Sequence, residues 1–460
     1  MKHLSKKYGL FTAICMVVGI VIGSGIFFKA QDVLSETAGN ALHGIIAWII
    51  GGMIMVVMAA TFAIMATKYE KVNGIVDYAE ATCGRGYAYF MGWFMSMIYY
   101  PAMTSVLAWV SARYTIVAVF NVTSVDPKAL FGPECITLAL FYLVLSYFIN
   151  AVAPRIAGKV QISTTVIKMI PIAFIVIVGT VIGFVNGNIG ASFDLGETVD
   201  AVTGENNLFA AICCTSFAYE GWIIATSINS EIKNSKRNLP LALVIGTLII
   251  VAAYVLYYVG VLGLADVSTL IKDGTSEAFK YFGTAGAAII NFIIIVSCLG
   301  TLNGLMLGCS RGTYSLAARN EGLSPRTLTQ IDRATNMPNN SAALGLLLCA
   351  IWLVYFLGSQ FFGWFGEFGF DSSEIPVVTV YPLYIPILIS FMIKERGEHP
   401  FKRFVLPSLS IIGSLTMVAA SVFRHGMGNV YYLIIFTLIM GAGMLTMYIN
   451  KRRGVLPTEE

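Results

Sequence analysis

Charge is scarce in this chain. Asp, Glu, Lys and Arg together make up 12% of its 460 residues, about half the share of an ordinary soluble domain and too little to cover a water-facing surface. Histidine occurs four times, and His3, His43, His399 and His425 form no H-E-x-x-H pair. Paired aspartates are missing from the apolar segments. These absences argue against an intramembrane enzyme of the metalloprotease or aspartyl kind. A Gly-rich phosphate loop ending in Lys-Ser or Lys-Thr is lacking, which excludes an ATP-driven pump. So are the charged ring or repeated filter loop that mark a channel. None of the eight cysteines stands in a C-x-x-C pair. Cys15, Cys135, Cys213, Cys214, Cys298, Cys309 and Cys349 fall in apolar segments and Cys83 in a polar connection. Disulfides, metals and cofactors are therefore not expected, and an isolated apolar cysteine reads as a small hydrophobe.

What is abundant is apolar sequence. Hydrophobic residues make up 57% of the chain and the mean hydropathy is +0.77, the composition of an integral membrane protein. Twelve segments are long enough to cross a bilayer, at roughly 10–29, 41–67, 87–119, 133–152, 159–183, 207–228, 240–262, 284–318, 341–357, 374–393, 404–424 and 428–450. The third and eighth exceed the ~20 residues required, so they tilt or project beyond the bilayer. The first run is too long for a signal peptide, and no small-residue cleavage site comes after it. An even number of spans places both termini on one side, and that side collects 22 of the 29 Lys and Arg residues. The termini are therefore expected to be cytoplasmic, in the cell membrane. The net charge of +4 collects on that inner face and requires no nucleic-acid partner.

The connections fit this topology. The outer loop 184–206 carries Asp194, Glu197, Asp200 and Glu205 with no Lys or Arg, and the cytoplasmic loop 319–340 is polar. The cytoplasmic segment Lys68–Gly86 is half apolar, through Ile75, Val76, Tyr78 and Ala79, and predicts a short interfacial helix.

Two segments break the pattern. Residues Gly19 to Phe27 read GIVIGSGIF, which places Gly23-Ser24-Gly25 in mid-membrane; Ser216 to Trp222 read SFAYEGW. Glycine costs about 1 kcal/mol in a helix interior, and irregular backbone at membrane depth is tolerated only where it is buried in protein or lines a cavity. Broken spans in corresponding positions of two halves point to a transporter's binding site. Breaks in spans one and six divide the first ten spans into five plus five. Five is odd, so the second half starts from the opposite side. The resulting fold is all-α, with two inverted five-helix repeats over 1–184 and 185–395 and two further helices in 396–460.

The breaks also carry chemistry. A free amino acid is a zwitterion, and burying it costs unless both charges are matched. The outer half of span one begins near Ser24 and presents N–H groups suited to a carboxylate. The inner half ends near Val21 with carbonyls suited to an ammonium, and the break at Phe217–Glu220 offers more, including that of Ala218. Close helix packing is the competing reading of Gly19, Gly23 and Gly25, since Gly19 and Gly23 form a small-xxx-small pair. The binding reading expects Gly25→Val to abolish transport with normal membrane expression.

GIVIGSGIF, SFAYEGW and SCLGTLNGLMLGCSRGTYSLAARNEGLSP (Ser297 to Pro325) resemble the first, sixth and eighth helices of the amino acid–polyamine–organocation transporters. The likeness is strongest to the L-amino-acid transporter branch with its bacterial serine/threonine and alanine/serine/cysteine exchangers. The resemblance covers spans one to ten. It implies the twelve-helix, LeuT-like inverted-repeat fold of that family, unwound in spans one and six at the substrate. It implies that Ser24, Gly25 and Ile26 give N–H groups to the substrate carboxylate. Val21 and Phe217 then give carbonyls to its ammonium, Phe217 forms an outer gate, and Trp222 is the aromatic after the break. Glu220 departs from the animal-type branch, which carries glycine there. An acid at that depth is functional by default: it attracts a cationic substrate, carries a proton, or accepts backbone donors at the break.

Lys168 lies nine residues beyond Lys159, about 13 Å into span five at 1.5 Å per residue. That placement costs about 2.5–3.5 kcal/mol. The resemblance, through Val160 to Lys168, implies that its ammonium replaces the cation that sodium-driven relatives hold between spans one and eight; a structural bond donor is the alternative. Asn303 reads as interhelical glue or as lining the site. Tyr99 and Tyr100, before Pro101, line the pocket or pack the core.

The expected function is a bacterial, sodium-independent exchanger of small to medium neutral L-amino acids. A proton-coupled symporter and a cationic amino acid or polyamine carrier are the alternatives; an intramembrane enzyme is a distant one. A cysteine-free outer loop at 120–132 and short termini argue against the disulfide-linked heavy subunit of animal relatives.

Overall fold

The computed structural model describes residues 9–69, 74–120, 132–152, 154–193, 206–224, 226, 232–332, 334–335 and 337–452. The acids of the loop 184–206, most of the loop 120–132 and the side chains of Lys159, Val160, Gln161 and Thr165 lie outside the described residues. What is described is helical and carries no strand.

Span one is two helices, α1 (Leu10–Val21) and α2 (Gly25–Glu36), bent by 51° at the glycines. The end of the bundle at Leu10 is termed proximal and the end at Glu36 distal. The helix α3 (Ala41–Lys68) starts where the Asn40 side chain accepts from His43 N, satisfying one of the donors a helix start leaves free. A short helix α4 (Ile75–Cys83) fills the expected place. Its apolar residues Ile75, Val76, Tyr78 and Ala79 are buried within the protein, so it packs against the bundle with its apolar side turned from lipid.

Span three combines α5 (Arg85–Phe94), a π-helical turn at Met95–Tyr99 and α6 (Tyr100–Phe120). Proline has no N–H and its ring clashes with the carbonyl four residues back. Pro101 therefore breaks the regular ladder here, and Trp352 Nε1 donates to the Met97 carbonyl in this turn at 3.0 Å. Next come α7 (Pro133–Val152), α8 (Pro154–Phe174) continued by α9 (Thr180–Asn186), a short α10 (Asn188–Phe193), and α11 (Leu208–Tyr219). The remainder are α12 (Ser235–Leu264), α13 (Val267–Asp273), α14 (Gly283–Ala318), α15 (Pro325–Leu328), α16 (Asn339–Gln360), α17 (Ile375–Lys394), α18 (Leu406–His425) and α19 (Met427–Arg452).

Helices occupy all twelve expected segments. Among the described residues, nine helical stretches are long and apolar enough to cross a membrane, and the bent α1–α2 pair makes ten. The other two are Arg85–Phe120, interrupted by the π turn, and Leu208–Tyr219, which is only 12 residues long, and most of their described residues are buried in protein. Polar side chains such as Ser105, Ser111 and Thr215 are accommodated there because they return hydrogen bonds to their own helix. The most extensive packing is of α3 with α12 and of α6 with α14; α2 also packs with α11 and, less extensively, α7 with α16. The α9 stretch and α12 touch through glycine. A Cβ on Gly183 would lie 2.4 Å from the Gly263 Cα, and one on Gly179 2.3 Å from the Gly260 oxygen.

Candidate functional site

The two breaks meet. A Cβ added to Gly25 would stand 2.4 Å from the Ala218 Cα, a distance that backbone atoms do not yield. Gly25 therefore has the packing role that small residues have between membrane helices, and the start of α2 faces the end of α11 as a consequence. Bulk at Gly25 damages packing as well as any ligand contact, which revises the expectation that Gly25→Val spares expression. Gly23 is tight too: a Cβ there would lie 2.9 Å from Thr301 Oγ1 on α14.

Ser24 occupies the cap position of α2 but makes no side-chain capping bond. The first N–H groups of a helix have no intrahelical acceptor, and a capping serine would normally take one. Ser24, Gly25 and Ile26 are all buried at this helix start. The helix α11 runs on to Tyr219, so Phe217 and Ala218 are helical and the chain turns at Glu220–Gly221, later than the sequence suggested. Gly221 has φ +104°, a conformation that favours glycine. Because the helix stops there, the Phe217, Ala218 and Tyr219 carbonyls have no N–H four residues on inside it.

Tyr254 on α12 lies between the breaks. Its hydroxyl is 3.1 Å from the Ala218 oxygen and 3.3 Å from the Val21 oxygen, one proton between two acceptors. Sequence reasoning missed it, because a tyrosine in an aromatic span carries no pattern of its own.

Lys168 is buried, and its Nζ donates to Gly19 O at 2.5 Å and Ile22 O at 2.6 Å, with Thr301 Oγ1 at 3.4 Å. Three charge-assisted contacts thus gather at the free carbonyls that end α1. The packing one turn earlier explains the aim: Thr164 fills the space above Gly300, where a Cβ would meet its Oγ1 at 2.3 Å.

Glu220 is buried, and its Oε1 accepts from the Tyr99 hydroxyl at 2.7 Å. Its Oε2 has no hydrogen-bond partner among the described residues. The π turn before Pro101 ends at Tyr99. Tyr100 packs edge-on against Tyr99 and lies over Gly308. Asn303 receives Asn150 Nδ2 at 2.8 Å, an interhelical bond between α7 and α14. Phe217 meets Phe28 edge-to-face at 6.3 Å on the distal side of the break. Trp222 packs with Phe62 and Tyr384, ring centroids 5.7 and 6.1 Å away. The geometry therefore brings Val21, Ser24, Gly25, Ala218, Tyr254 and Lys168 to the two breaks, with Glu220 and Tyr99 bound to each other beside the second.

Comparison with known proteins gives the family. Residues 8–445 match the family model described as amino acid permease, and the chain belongs to that family. It is similar to the serine/threonine exchanger SteT of Bacillus subtilis, 26% identical over 447 residues, covering 92% of this chain and 93% of that one. The human b(0,+)-type amino acid transporter 1 is 26% identical over 450 residues, covering 95% and 86%. The human large neutral amino acids transporter small subunit 2 is 28% identical over 385 residues, covering 82% and 69%. These relatives are named as transporters or exchangers, and none is named as an enzyme.

Proposed function

We propose that this permease is a secondary active transporter of small to medium neutral L-amino acids, of the alanine, serine, threonine and cysteine type, working by sodium-independent exchange. The observation that carries the reading is the meeting of the two breaks at Gly25 and Ala218. A substrate carboxylate takes the N–H groups of Ser24, Gly25 and Ile26, where the helix start favours negative charge. Its ammonium takes the carbonyls of Val21 and Phe217. Tyr254 engages the Val21 and Ala218 carbonyls while the site is empty and yields the former to the ammonium. Both charges are thus matched by backbone, and the side-chain pocket stays free to be neutral.

The names of the relatives support the reading: a serine/threonine exchanger supports small neutral substrates and exchange, and a large neutral amino acids transporter supports neutral amino acids as the class. The bonds of Lys168 to Gly19 and Ile22 support sodium independence, because a fixed ammonium already satisfies the carbonyls that a sodium ion would need. The pairings of α2 with α11, α3 with α12, α6 with α14 and α7 with α16 join helices five spans apart. They support two inverted halves over 1–184 and 185–395, with 396–460 outside the symmetry and twelve spans in all. Lys and Arg at the proximal end argue for cytoplasmic termini in the cell membrane, which makes the distal end the outer one. Phe217 with Phe28 closes the outer path, and Trp222 with Phe62 and Tyr384 closes the inner one. The carrier works without a heavy subunit.

Proton-coupled symport is the second reading, favoured by the Glu220 oxygen that has no hydrogen-bond partner among the described residues. Uptake of labelled serine or alanine into liposomes, with and without internal amino acid, tests both. Exchange requires internal substrate, whereas a symporter accumulates substrate in empty liposomes when a proton gradient is imposed.

A further inference from the structure

Away from the breaks, the proximal connection between α17 and α18 mixes both signs of charge: Lys394, Glu395, Arg396, Glu398, Lys402 and Arg403. The fold sorts them. Both acids turn to the end of α3. Glu395 accepts from Lys68 and, at 2.5 Å, from the Tyr69 hydroxyl, and Glu398 pairs with the same Lys68 at 3.1 Å. The basic residues are left over. Arg396 and Lys402 are exposed, and their side chains make no hydrogen bond or ion pair among the described residues. Arg403 Nε donates to Met392 O at 2.7 Å, which folds the connection back onto the last turn of α17.

Apolar side chains adjoin this charge. A π-helical turn at Phe401–Val405 leads into α18. Phe401, Phe404 and Val405 in it are exposed, as are Leu409 and Ile412 in α18. Spacings of three and four residues put such positions on one side of a helix. The Arg403 guanidinium lies 4.6 Å from the Phe404 ring centroid. An apolar stripe thus runs up to a patch of positive charge whose own carboxylates are engaged elsewhere. That is the amphipathic pattern of a surface at a membrane interface.

We infer that this turn is a binding site for an anionic phospholipid, with Arg396, Lys402 and Arg403 around the headgroup phosphate and the acyl chains along Phe404, Val405 and Leu409. A basic cluster beside a span end attracts anionic lipid, and arginine meets phosphate through paired N–H donors. The charge decides between lipids: a zwitterionic headgroup brings an ammonium to a patch that has no carboxylate to spare. The apolar stripe decides between lipid and soluble phosphate, because only a lipid has chains to cover it. The inference rests on the membrane reading of the chain and not on the transport reading.

Purified protein in a neutral detergent, titrated with phosphatidylglycerol or with phosphatidylcholine of the same acyl chains, tests this. Binding is read as a rise in the thermal unfolding midpoint, since a ligand of the folded form stabilises it. Phosphatidylglycerol should act on the unmodified protein at roughly tenfold lower concentration than phosphatidylcholine. Arg396→Gln combined with Lys402→Gln should move the phosphatidylglycerol curve to about tenfold higher concentration and leave the phosphatidylcholine curve in place. Lys236→Gln combined with Arg237→Gln is the control. It removes the same charge from exposed positions at the start of α12, where no aromatic stands within four residues, and should behave as the unmodified protein. Equal responses to the two lipids overturn the site. Equal losses in the two double variants overturn it as well, because general surface charge then accounts for binding. Stabilisation by glycerophosphoglycerol, the headgroup without acyl chains, at the same concentration overturns the lipid assignment. Should the double variant fail to accumulate, Lys402→Gln alone carries the comparison, with a shift of about threefold expected and no shift counting against the site. Amino acid exchange is no part of this readout, so its absence would count against the transporter reading alone.

Discussion

The ammonium of Lys168 lies 2.5 Å from the carbonyl oxygen of Gly19, at the point where the first span stops being a helix. A charge that deep is costly in a membrane. Here the cost is offset by carbonyls that the break would otherwise leave unpaired. The same ammonium reaches toward Thr301 on α14, so one side chain ties the first span to the fifth and the eighth.

Sodium should therefore be dispensable. Uptake by the unmodified protein is expected to be equal in sodium and choline buffers. Lys168→Ala should reach the membrane and exchange at least tenfold more slowly, because the tie that biases the inward and outward forms is gone. Strict sodium dependence of the unmodified protein contradicts this, and full activity of Lys168→Ala reduces the lysine to a structural donor.

Gly25 carries the packing of the two breaks, since an added Cβ would meet the Ala218 Cα at 2.4 Å. Overpacking of this kind costs about 1–3 kcal/mol or more. Gly25→Val should lower the amount of folded protein in the membrane along with transport. Normal amounts of a monodisperse Gly25→Val protein would show that α2 and α11 can separate freely.

How far the sequence led is clear from these two positions. Glycines in mid-membrane and a lysine nine residues past the start of a span are one-dimensional facts, and they located the first break and its cation. The second break was legible to within three residues. Its exact turn depends on Gly221, whose left-handed backbone a sequence does not display. Tyr254 and the Lys68–Glu395 pairing were not legible. Each joins segments separated by tens to hundreds of residues, and tyrosine or surface-type charges near span ends have many ordinary explanations. Asn303 remained ambiguous until its partner, Asn150 on another helix, was known.

Tyr254 should matter to binding without being absolutely required. Tyr254→Phe removes the hydroxyl 3.1 Å from Ala218 O and 3.3 Å from Val21 O. The empty site then holds unpaired carbonyls, each costing about 1–3 kcal/mol, which substrate relieves in part. Steady-state exchange should show a changed KM with retained, slower turnover. Kinetics identical to those of the unmodified protein would remove Tyr254 from the site.

Glu220 distinguishes exchange from symport. With the carboxylate held by Tyr99 at 2.7 Å in a structural role, Glu220→Gln keeps a hydrogen-bond acceptor there. Exchange should then be indifferent to a proton gradient in both proteins. Gradient-driven accumulation that disappears in Glu220→Gln would establish the symport reading.

The central claim is that backbone groups at two helix breaks bind both charges of an amino acid. Counterflow into serine-loaded liposomes tests it most directly, with labelled serine outside and unlabelled competitors added. Alanine and threonine should compete with serine, whereas ethanolamine, which keeps the ammonium and hydroxyl of serine but lacks its carboxylate, should not compete even at roughly 100-fold excess, a margin of about 2.7 kcal/mol. Competition by ethanolamine at concentrations similar to those of serine would contradict the account, because the N–H groups of Ser24, Gly25 and Ile26 would then have no part in recognition.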